Sequence, residues 1–350
     1  MALLWVDGFE KYGPSGAAIN PTDIITWKYL GHFDERIDII TGSTGNAIRL
    51  DNTSIFMVTP VLDVTGNVLV CGFAFKFENT ITDGQWIVDF RQANMQGQVI
   101  SYNMLGLQVD TVNSANEVSL VLGGSVIDTS SGTDLQVDTW YYLEFKVMAH
   151  NTSGTAEVYL DGSKIIDYSG DTQYIGAFDQ YCRVLWRDNN LNYLCLDDLY
   201  ICDGSGNTNN DILGSCNVYS LSPSADVSGN WTPSTGNDFY AVMDEDTLSS
   251  DYISETTSGN QVLVDLSNLP SGGTIAGIMI SAETQVSGNL NKYAKLLTQN
   301  GSVGSVQTER GLLPGGTNPL CTTHSMDYDS DGNSWTSDTV NSLRIGVELS

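Results

Sequence analysis

The most regular set of chemically active side chains lies near the end of the sequence, in the stretch MDYDSDGNSWTSD. Asp327, Asp329 and Asp331 alternate, and Asp338 follows where the twelfth position of a calcium loop would fall. Gly332 would occupy the sharp turn in the middle of such a loop. Because Ca²⁺ binds through carboxylate oxygens, these four aspartates form a candidate calcium site.

The same stretch also has the composition of an ordinary turn. Ser334 stands where a helix–loop–helix calcium site has a β-branched apolar residue, and its last ligand is Asp rather than the longer Glu. The preceding PLCTTHSM has the pattern of a strand, not of an entering helix. In this alternative DSDGNS is a turn and WTSDTVN is a short connection with Trp335 packed as a plug. The strand before it and the strand SLRIGVEL after it would then be neighbours.

Three tryptophans near predicted turns are candidates for sugar binding. They are Trp86 in TDGQWIV, Trp231 in SGNWTPS, and Trp335. A tryptophan offers a flat apolar ring for a sugar and an N–H group for a hydrogen bond. Tryptophans in β-sandwiches also serve as core anchors, so each candidate has a structural alternative.

The sequence carries no recognisable catalytic motif. Glucanases with a jelly-roll fold place alternate carboxylates on one strand as E-x-D-x-x-E, and this pattern is absent. The acid-rich pieces HFDERID and MDEDTLSSD have other spacings and are predicted to be loops. His32, His150 and His324 are scattered, and none accompanies a nucleophile or a zinc motif. We therefore expect a protein that is not an enzyme and has no cofactor, calcium excepted.

Charge and composition exclude several classes of partner. Against 14 basic residues there are 42 acidic ones, a formal net charge of −28, which repels nucleic acid and anionic membranes. The sequence has no apolar run of about 18 residues, the length that a membrane span requires. The cysteines form no CxxC pair and lie mostly in strand-like segments, which predicts buried free thiols in a reducing cytoplasm.

Short apolar segments rich in Val, Ile, Tyr and Phe recur along the whole chain, bounded by Gly, Asn, Asp or Ser. Helical periodicity is almost absent. The pair Asp161-Gly162 in AEVYLDGSKIIDY is a strong two-residue hairpin signal. This pattern predicts an all-β protein of two β-sandwich, jelly-roll-like domains. We place them at residues 1–203 and 212–350, with a short polar linker at 204–211.

Several motifs carry a resemblance to known families. WYYLEFKVMAHNTSGTAEVYLDGSKIIDYSGDT, with GSTGNAIRLDN before it and CLDDLYICDG after it, resembles a laminin-G or concanavalin A-like jelly roll. The segment from LDDLYICDG to SGNWTPS, the final WTSDTVNSLRIGVEL and the opening GFEKY are similar to structural proteins of tailed bacteriophages. Those proteins pair an N-terminal jelly roll with a C-terminal β-domain, and the resemblance spans essentially the whole chain.

The resemblance implies a non-enzymatic virion protein, made in the host cytoplasm and exposed on the phage particle. Its placements there are tail fibre or baseplate adhesin, head fibre, capsid decoration protein and minor tail protein. Its expected partners are other capsid or tail proteins, host-surface polysaccharide, and further copies in a homo-oligomer or multivalent array. The alternatives are a glycoside hydrolase or lyase on a jelly-roll scaffold, and a soluble bacterial lectin.

Overall fold

The computed structural model describes residues 2–13, 15–17, 28–31, 37–50, 56–93, 99–173, 181–187, 193–244, 251–285, 293–301, 307–312 and 320–350. The predicted all-β class is confirmed, because almost all of the regular structure in the described residues is β-strand. The chain divides into two compact units. The first comprises Met1–Pro21 and Lys28–Val218, and the second comprises Thr22–Trp27 and Tyr219–Ser350.

The first unit contains sixteen strands among its described residues. They are β1 (Leu3–Asp7), β2 (Leu30–Gly31), β3 (Ile37–Thr41), β4 (Asn46–Leu50), β5 (Phe56–Val58), β6 (Leu62–Asp63), β7 (Val68–Phe77), β8 (Gln85–Ala93), β9 (Val99–Val112), β10 (Ala115–Leu122), β11 (Ser125–Thr129), β12 (Tyr141–Met148), β13 (Gly154–Leu160), β14 (Ser163–Gly170), β15 (Tyr181–Arg187) and β16 (Leu194–Asp203).

These strands form two antiparallel sheets of eight strands each. The first sheet has the order β14-β13-β12-β7-β16-β4-β3, with β1 also paired to β16. The second sheet has the order β11-β10-β9-β8-β15-β5-β2, with β6 also paired to β15. Aromatic rings join the two sheets: Phe90 stacks on Phe145 at 4.8 Å between centroids, and Trp186 meets Phe73 edge-on at 5.8 Å. The unit is therefore a β-sandwich with its core between the sheets.

Local sequence explains the central strands and the tightest turn of this unit. All ten residues of β16 are buried, as expected of a strand covered on both faces. The predicted hairpin is confirmed, because β13 and β14 pair on either side of Asp161 and Gly162. Both turn residues have positive φ, 48° and 76°, which is the left-handed backbone of a type I′ turn.

The second unit is described by strands and two short helical turns. Its strands are β17 (Pro223–Gly229), β18 (Thr232–Pro233), β19 (Ile253–Ser254), β20 (Gln261–Leu266), β21 (Ile278–Thr284), β22 (Ala294–Asn300), β23 (Gln307–Leu312), β24 (Leu320–Met326) and β25 (Leu343–Leu349). A 3₁₀ turn covers Tyr240–Val242, and α1 covers Ser337–Asn341.

The strands of the second unit form a five-stranded sheet, β17-β20-β25-β22-β23, and two pairs, β18-β19 and β21-β24. Its core gathers residues from the large sheet and from the β21-β24 pair, among them Val262, Leu296, Ile280 and Met326. The expectation that β24 and β25 are neighbours is wrong, because β24 pairs with β21 and β25 lies between β20 and β22. WTSDTVN is not merely a connecting turn either, since Thr336 caps α1 with a capping box.

The segment predicted as a linker at 204–211 belongs to the first unit, and the contact boundary between the units follows Val218. Asp211 forms an ion pair with Lys146, with 2.7 Å between Oδ1 and Nζ. The backbone N–H of Gly214 donates to the buried Glu144 carboxylate at 2.8 Å. Further along, Val218 N–H donates to Asp198. A polar composition indicated a linker here, but these side chains hold the polar segment against the sandwich.

Glu144 should be the residue on which this attachment depends. It is 1% exposed and accepts hydrogen bonds from Tyr200 Oη and Gly214 N. Glu144→Ala removes two bonds to a charged group, so we expect a loss of about 3 kcal/mol in the free energy of unfolding. The melting temperature of the full chain should fall by several degrees. Glu157→Ala, a surface carboxylate paired with Lys164, is the control and should change it little. Equal melting temperatures for the two variants would contradict this role.

Candidate functional site

The outer face of the second sheet carries charged side chains at its centre. In β8 and β15, Phe90 pairs with Val184, and both side chains are buried in the core. Because side chains alternate along a strand, the neighbouring residues point to the opposite face. These neighbours are Asp89 and Arg91 in β8 and Arg183 and the buried Leu185 in β15, and the same alternation places Arg187, which ends β15, on this face. We call the four charged residues, together with Trp86, the arginine face.

Trp86 belongs to this face because of a bulge and a glycine. The register of β8 against β9 shifts between Trp86 and Val88, which turns the Trp86 ring outward over Gly106. A Cβ atom at Gly106 would lie 2.8 Å from Trp86 Cζ3 and 2.5 Å from the Val88 carbonyl oxygen. The guanidinium of Arg187 lies over the Trp86 ring, 4.7 Å from the ring centroid. Trp86 therefore supports Arg187 through a cation–π contact.

Asp89 and Arg91 form the charged pair at the centre of the face. Arg91 Nε donates to Asp89 Oδ2 at 2.9 Å, and Asp89 is fully buried. Within the described part of the chain, Asp89 Oδ1 and the Nε atoms of Arg183 and Arg187 are buried without a hydrogen-bond partner. Buried polar atoms without partners are rare in native proteins, which makes this group a candidate ligand site.

Burial shifts the pKa values of Asp89, Arg183 and Arg187 in the direction that favours the neutral form of each group. It raises the pKa of the Asp89 carboxyl above its usual value, and the neighbouring Arg91 partly offsets the shift. Burial also lowers the pKa of the Arg183 guanidinium and that of Arg187, where the Asp89 charge opposes the effect. Arginine nevertheless stays protonated in proteins, so this set of residues holds three positive charges and one carboxyl group.

Of the predicted sugar-binding tryptophans, Trp86 is in the first unit, and Trp231 and Trp335 are in the second. Trp86 is on the arginine face, where it packs against Gly106 and Arg187 and is 9% exposed. Trp231 packs beside the core of the second unit and donates from Nε1 to the Asn260 carbonyl at 3.0 Å. Trp335 lies in that core and donates to the Met326 carbonyl. Of the three, Trp86 alone adjoins the candidate site, as a support for Arg187 instead of a stacking surface.

The four candidate calcium ligands have separate surroundings. Asp329 Oδ1 accepts from the N–H groups of Asp331 and Asn333, at 3.0 and 2.8 Å, as in an Asx-type turn. Asp331 is exposed, and Asp338 lies in the first turn of α1. Asp327 is 6% exposed. In the part of the chain that the structure describes, no group of three or more His, Cys, Asp or Glu side chains is arranged to hold a metal ion.

A second cluster of acids lies in the first unit at a bulge in β16. Asp197 Oδ1 accepts from Asp198 N at 2.7 Å and its Oδ2 from Thr44 N at 3.0 Å. Asp198 has a φ of 51°, and its Oδ1 accepts from Val218 N. The register of β16 against β7 shifts between Asp197 and Tyr200, and both aspartate side chains are buried. Their acceptor atoms are used by backbone N–H groups, which gives this pair a structural role.

Sequence reasoning missed the residues that define the arginine face. The available signal was the occurrence of charged residues at same-face spacings in two otherwise apolar strands: Asp89 and Arg91 are two apart in IVDFRQ, and Arg183 and Arg187 are four apart in CRVLWR. Arginines are scarce in this acidic chain, so this spacing was informative. What the sequence could not supply was the pairing of β8 with β15, two strands that lie far apart in the chain.

No protein-family model matches the chain, and no curated protein matches it. Among solved structures, it is similar to a mutant of alginate lyase Aly36B in complex with alginate trisaccharide (12% identity, 57% of this chain and 97% of that one, TM-score 0.41). It is also similar to domain 4 of the GH43 extracellular arabinanase AbnA from Geobacillus stearothermophilus, in complex with arabinotriose (16%, 58% and 93%, TM-score 0.37). A third similarity is to the carbohydrate-binding module CBM66 from Bacillus subtilis (13%, 50% and 96%, TM-score 0.30). These are likenesses of fold.

The aspartates near the end of the chain should act as turn residues. Asp329→Ala removes the acceptor of two backbone N–H groups and should destabilise the second unit by about 1–2 kcal/mol, or a few degrees in melting temperature. Asp331→Ala, at an exposed position in the same turn, should have no measurable effect. Differential scanning fluorimetry with calcium and with a chelator should give equal melting temperatures. A gain of several degrees with calcium, lost in both variants, would restore the calcium interpretation.

The Asp197–Asp198 pair should make stability depend on pH. Burial raises the pKa of Asp197 to about 8 and that of Asp198 to about 6, so the folded state binds more protons than the unfolded state. Their contribution to stability is complete below about pH 4, the pKa of an unfolded Asp, and is lost as the pH rises to about 8. Melting temperatures measured between pH 5 and 9 should fall less steeply for Asp197→Asn than for the parent chain. Parallel curves would refute this assignment.

Proposed function

We propose that this chain is a non-enzymatic, glycan-binding structural protein exposed on the particle of a tailed bacteriophage. The observation that supports glycan binding is the arginine face, a preorganised group of hydrogen-bond donors on the outside of a jelly-roll sheet. Arginine presents five N–H donors in a planar fork, which suits oxygen-rich ligands. Trp86 under Arg187 and Asp89 beside Arg91 hold two of these forks in place before any ligand arrives.

The same face gives little support to the enzymatic alternative. A glycoside hydrolase uses two carboxyl groups about 5–9.5 Å apart, one on each side of the scissile bond. On the arginine face the one carboxyl group is Asp89, which is fully buried and bonded to Arg91. A carboxyl group without exposed surface does not reach a glycosidic oxygen, so this geometry does not favour glycoside hydrolysis.

The assignment to a virion rests on the sequence. It is supported by the opening GFEKY, the run from LDDLYICDG to SGNWTPS and the closing WTSDTVNSLRIGVEL, which resemble tailed-phage structural proteins along the whole chain. The partners that follow are other capsid or tail proteins and the polysaccharide of the host surface. Such a site gains adhesion from many linked copies, so we expect a homo-oligomer or an array set by the symmetry of the particle.

The proposal is tested by binding and turnover on the same samples. The purified full chain is applied to an array of bacterial surface polysaccharides, both neutral and acidic, and incubated with those that it retains. We expect retention of at least one polysaccharide, without new reducing ends and without unsaturated sugar products. Arg187→Ala should abolish retention, because it removes a fork of the arginine face. Trp231→Ala, in the second unit, is the control and should retain the same polysaccharide.

Two outcomes would contradict the proposal. Sustained product release that one carboxylate-to-amide substitution abolishes would make the chain an enzyme. Retention of no polysaccharide by the folded chain, or retention that survives Arg187→Ala, would remove the arginine face from its function. The virion placement is tested separately, by locating the chain in a low-resolution map of intact particles. Its absence from purified particles would overturn that part.

A further inference from the structure

We infer that the arginine face binds an anionic group of an acidic polysaccharide, held between Arg91 and Arg183. This inference rests on the proposed function, since it names the class of glycan that the same site would take. It follows from the placement of like charges on two paired strands, from the absence of a countercharge for Arg183 among the described residues, and from the net charge of the chain.

Arg91 and Arg183 are direct cross-strand partners in the antiparallel ladder between β8 and β15. Residues directly opposite in such a ladder have Cβ atoms about 4.5–5.5 Å apart, and side chains of like charge in directly opposite positions are destabilising. Both side chains are partly buried, Arg91 with 13% of its surface exposed, so solvent screens the repulsion less than it would at an open surface. An anion between the two guanidinium groups converts this repulsion into two attractions.

The carboxylate on this face does not neutralise Arg183. Asp89 lies opposite Leu185 in the ladder, and its Oδ2 accepts a hydrogen bond from Arg91. Its charge also acts on Arg187. Arg183 Nε, by contrast, is buried without a hydrogen-bond partner among the described residues. A guanidinium in this position is costly unless something supplies acceptors, and an oxyanion supplies them to both arginines at once.

The negative net charge of the whole chain makes the clustering of arginines on this face informative. With 42 acidic residues against 14 basic ones, the protein repels polyanions at long range. Three arginines on one face around a single buried carboxyl group reverse the sign of the local field. A local positive site in a negative protein favours a specific contact with one anionic group over general adsorption of polyanions. The oxyanion can be a sugar carboxylate, a sulfate ester or a phosphodiester, all of which suit the guanidinium fork.

The experiment uses the full chain and a polysaccharide array with matched pairs. Each acidic polymer is printed beside its neutral counterpart: polygalacturonate and its methyl ester, dextran sulfate and dextran. Bacterial uronate-, sialate- and phosphodiester-containing polymers complete the acidic set, with neutral bacterial glycans beside them. The parent chain, Arg183→Gln and Arg344→Gln are compared. Arg344 lies in the second unit and pairs with Asp265, so its substitution makes the same change in net charge away from the arginine face.

We expect the bound glycans to be acidic and their neutral counterparts to be unbound. Arg183→Gln should weaken binding at least about tenfold, while Arg344→Gln should leave it unchanged. The acidic polymers on the array then show whether carboxylate, sulfate or phosphodiester is the preferred group. In buffer alone Arg183→Gln should melt no lower than the parent chain, because it removes a like-charge pair. This measurement separates loss of the site from loss of the fold.

The contrary outcomes are distinct. Binding to neutral glycans alone, or binding of acidic glycans that Arg183→Gln and Arg344→Gln weaken equally, overturns the inference and leaves the proposed glycan-binding function standing. Binding of no glycan by the folded parent chain overturns the proposed function and the inference with it. A melting temperature of Arg183→Gln clearly below that of the parent would show that Arg183 is structural, and would also end the inference.

Discussion

The stacking of Phe90 on Phe145 between the two sheets of the first unit is the contact on which the candidate site depends. It fixes which face of β8 turns inward, and the pairing of Phe90 with Val184 fixes the face of β15. A slip of one residue in either strand would carry the arginines into the core. Burying two unpaired guanidinium groups would cost far more than the packing gains, so the apolar inner row and the charged outer row specify one register together.

Within the charged outer row, some residues hold others in position. Asp89 is buried and holds Arg91, and Trp86, seated over Gly106, supports Arg187. Arg183 has no comparable support from the described residues, although it stands opposite Arg91. The face therefore combines two fixed donors with one whose charge is uncompensated. A preorganised binding site requires rigid side chains around a group that still lacks a hydrogen-bond partner.

Much of the fold could be predicted from local patterns, and the site could not. The hairpin at Asp161 and Gly162 follows from the turn preference of two adjacent residues. The arginine face depends on the pairing of β8 with β15, a long-range contact without a local signal. Trp86 was identified by residue type, but its support of Arg187 required knowledge of the bulge beside Gly106. The polar segment at 204–211 gave a misleading signal, because it belongs to the first unit and its last residue, Asp211, pairs with Lys146.

The pairing of Arg183 with an anionic sugar can be observed directly in a crystal structure of the full chain with an acidic oligosaccharide that it binds. An oxyanion of the sugar should lie within hydrogen-bond distance of both Arg91 and Arg183, with Trp86 still beneath Arg187. An oligosaccharide bound elsewhere on the chain, or one that meets this face through neutral hydroxyl groups alone, would contradict this pairing.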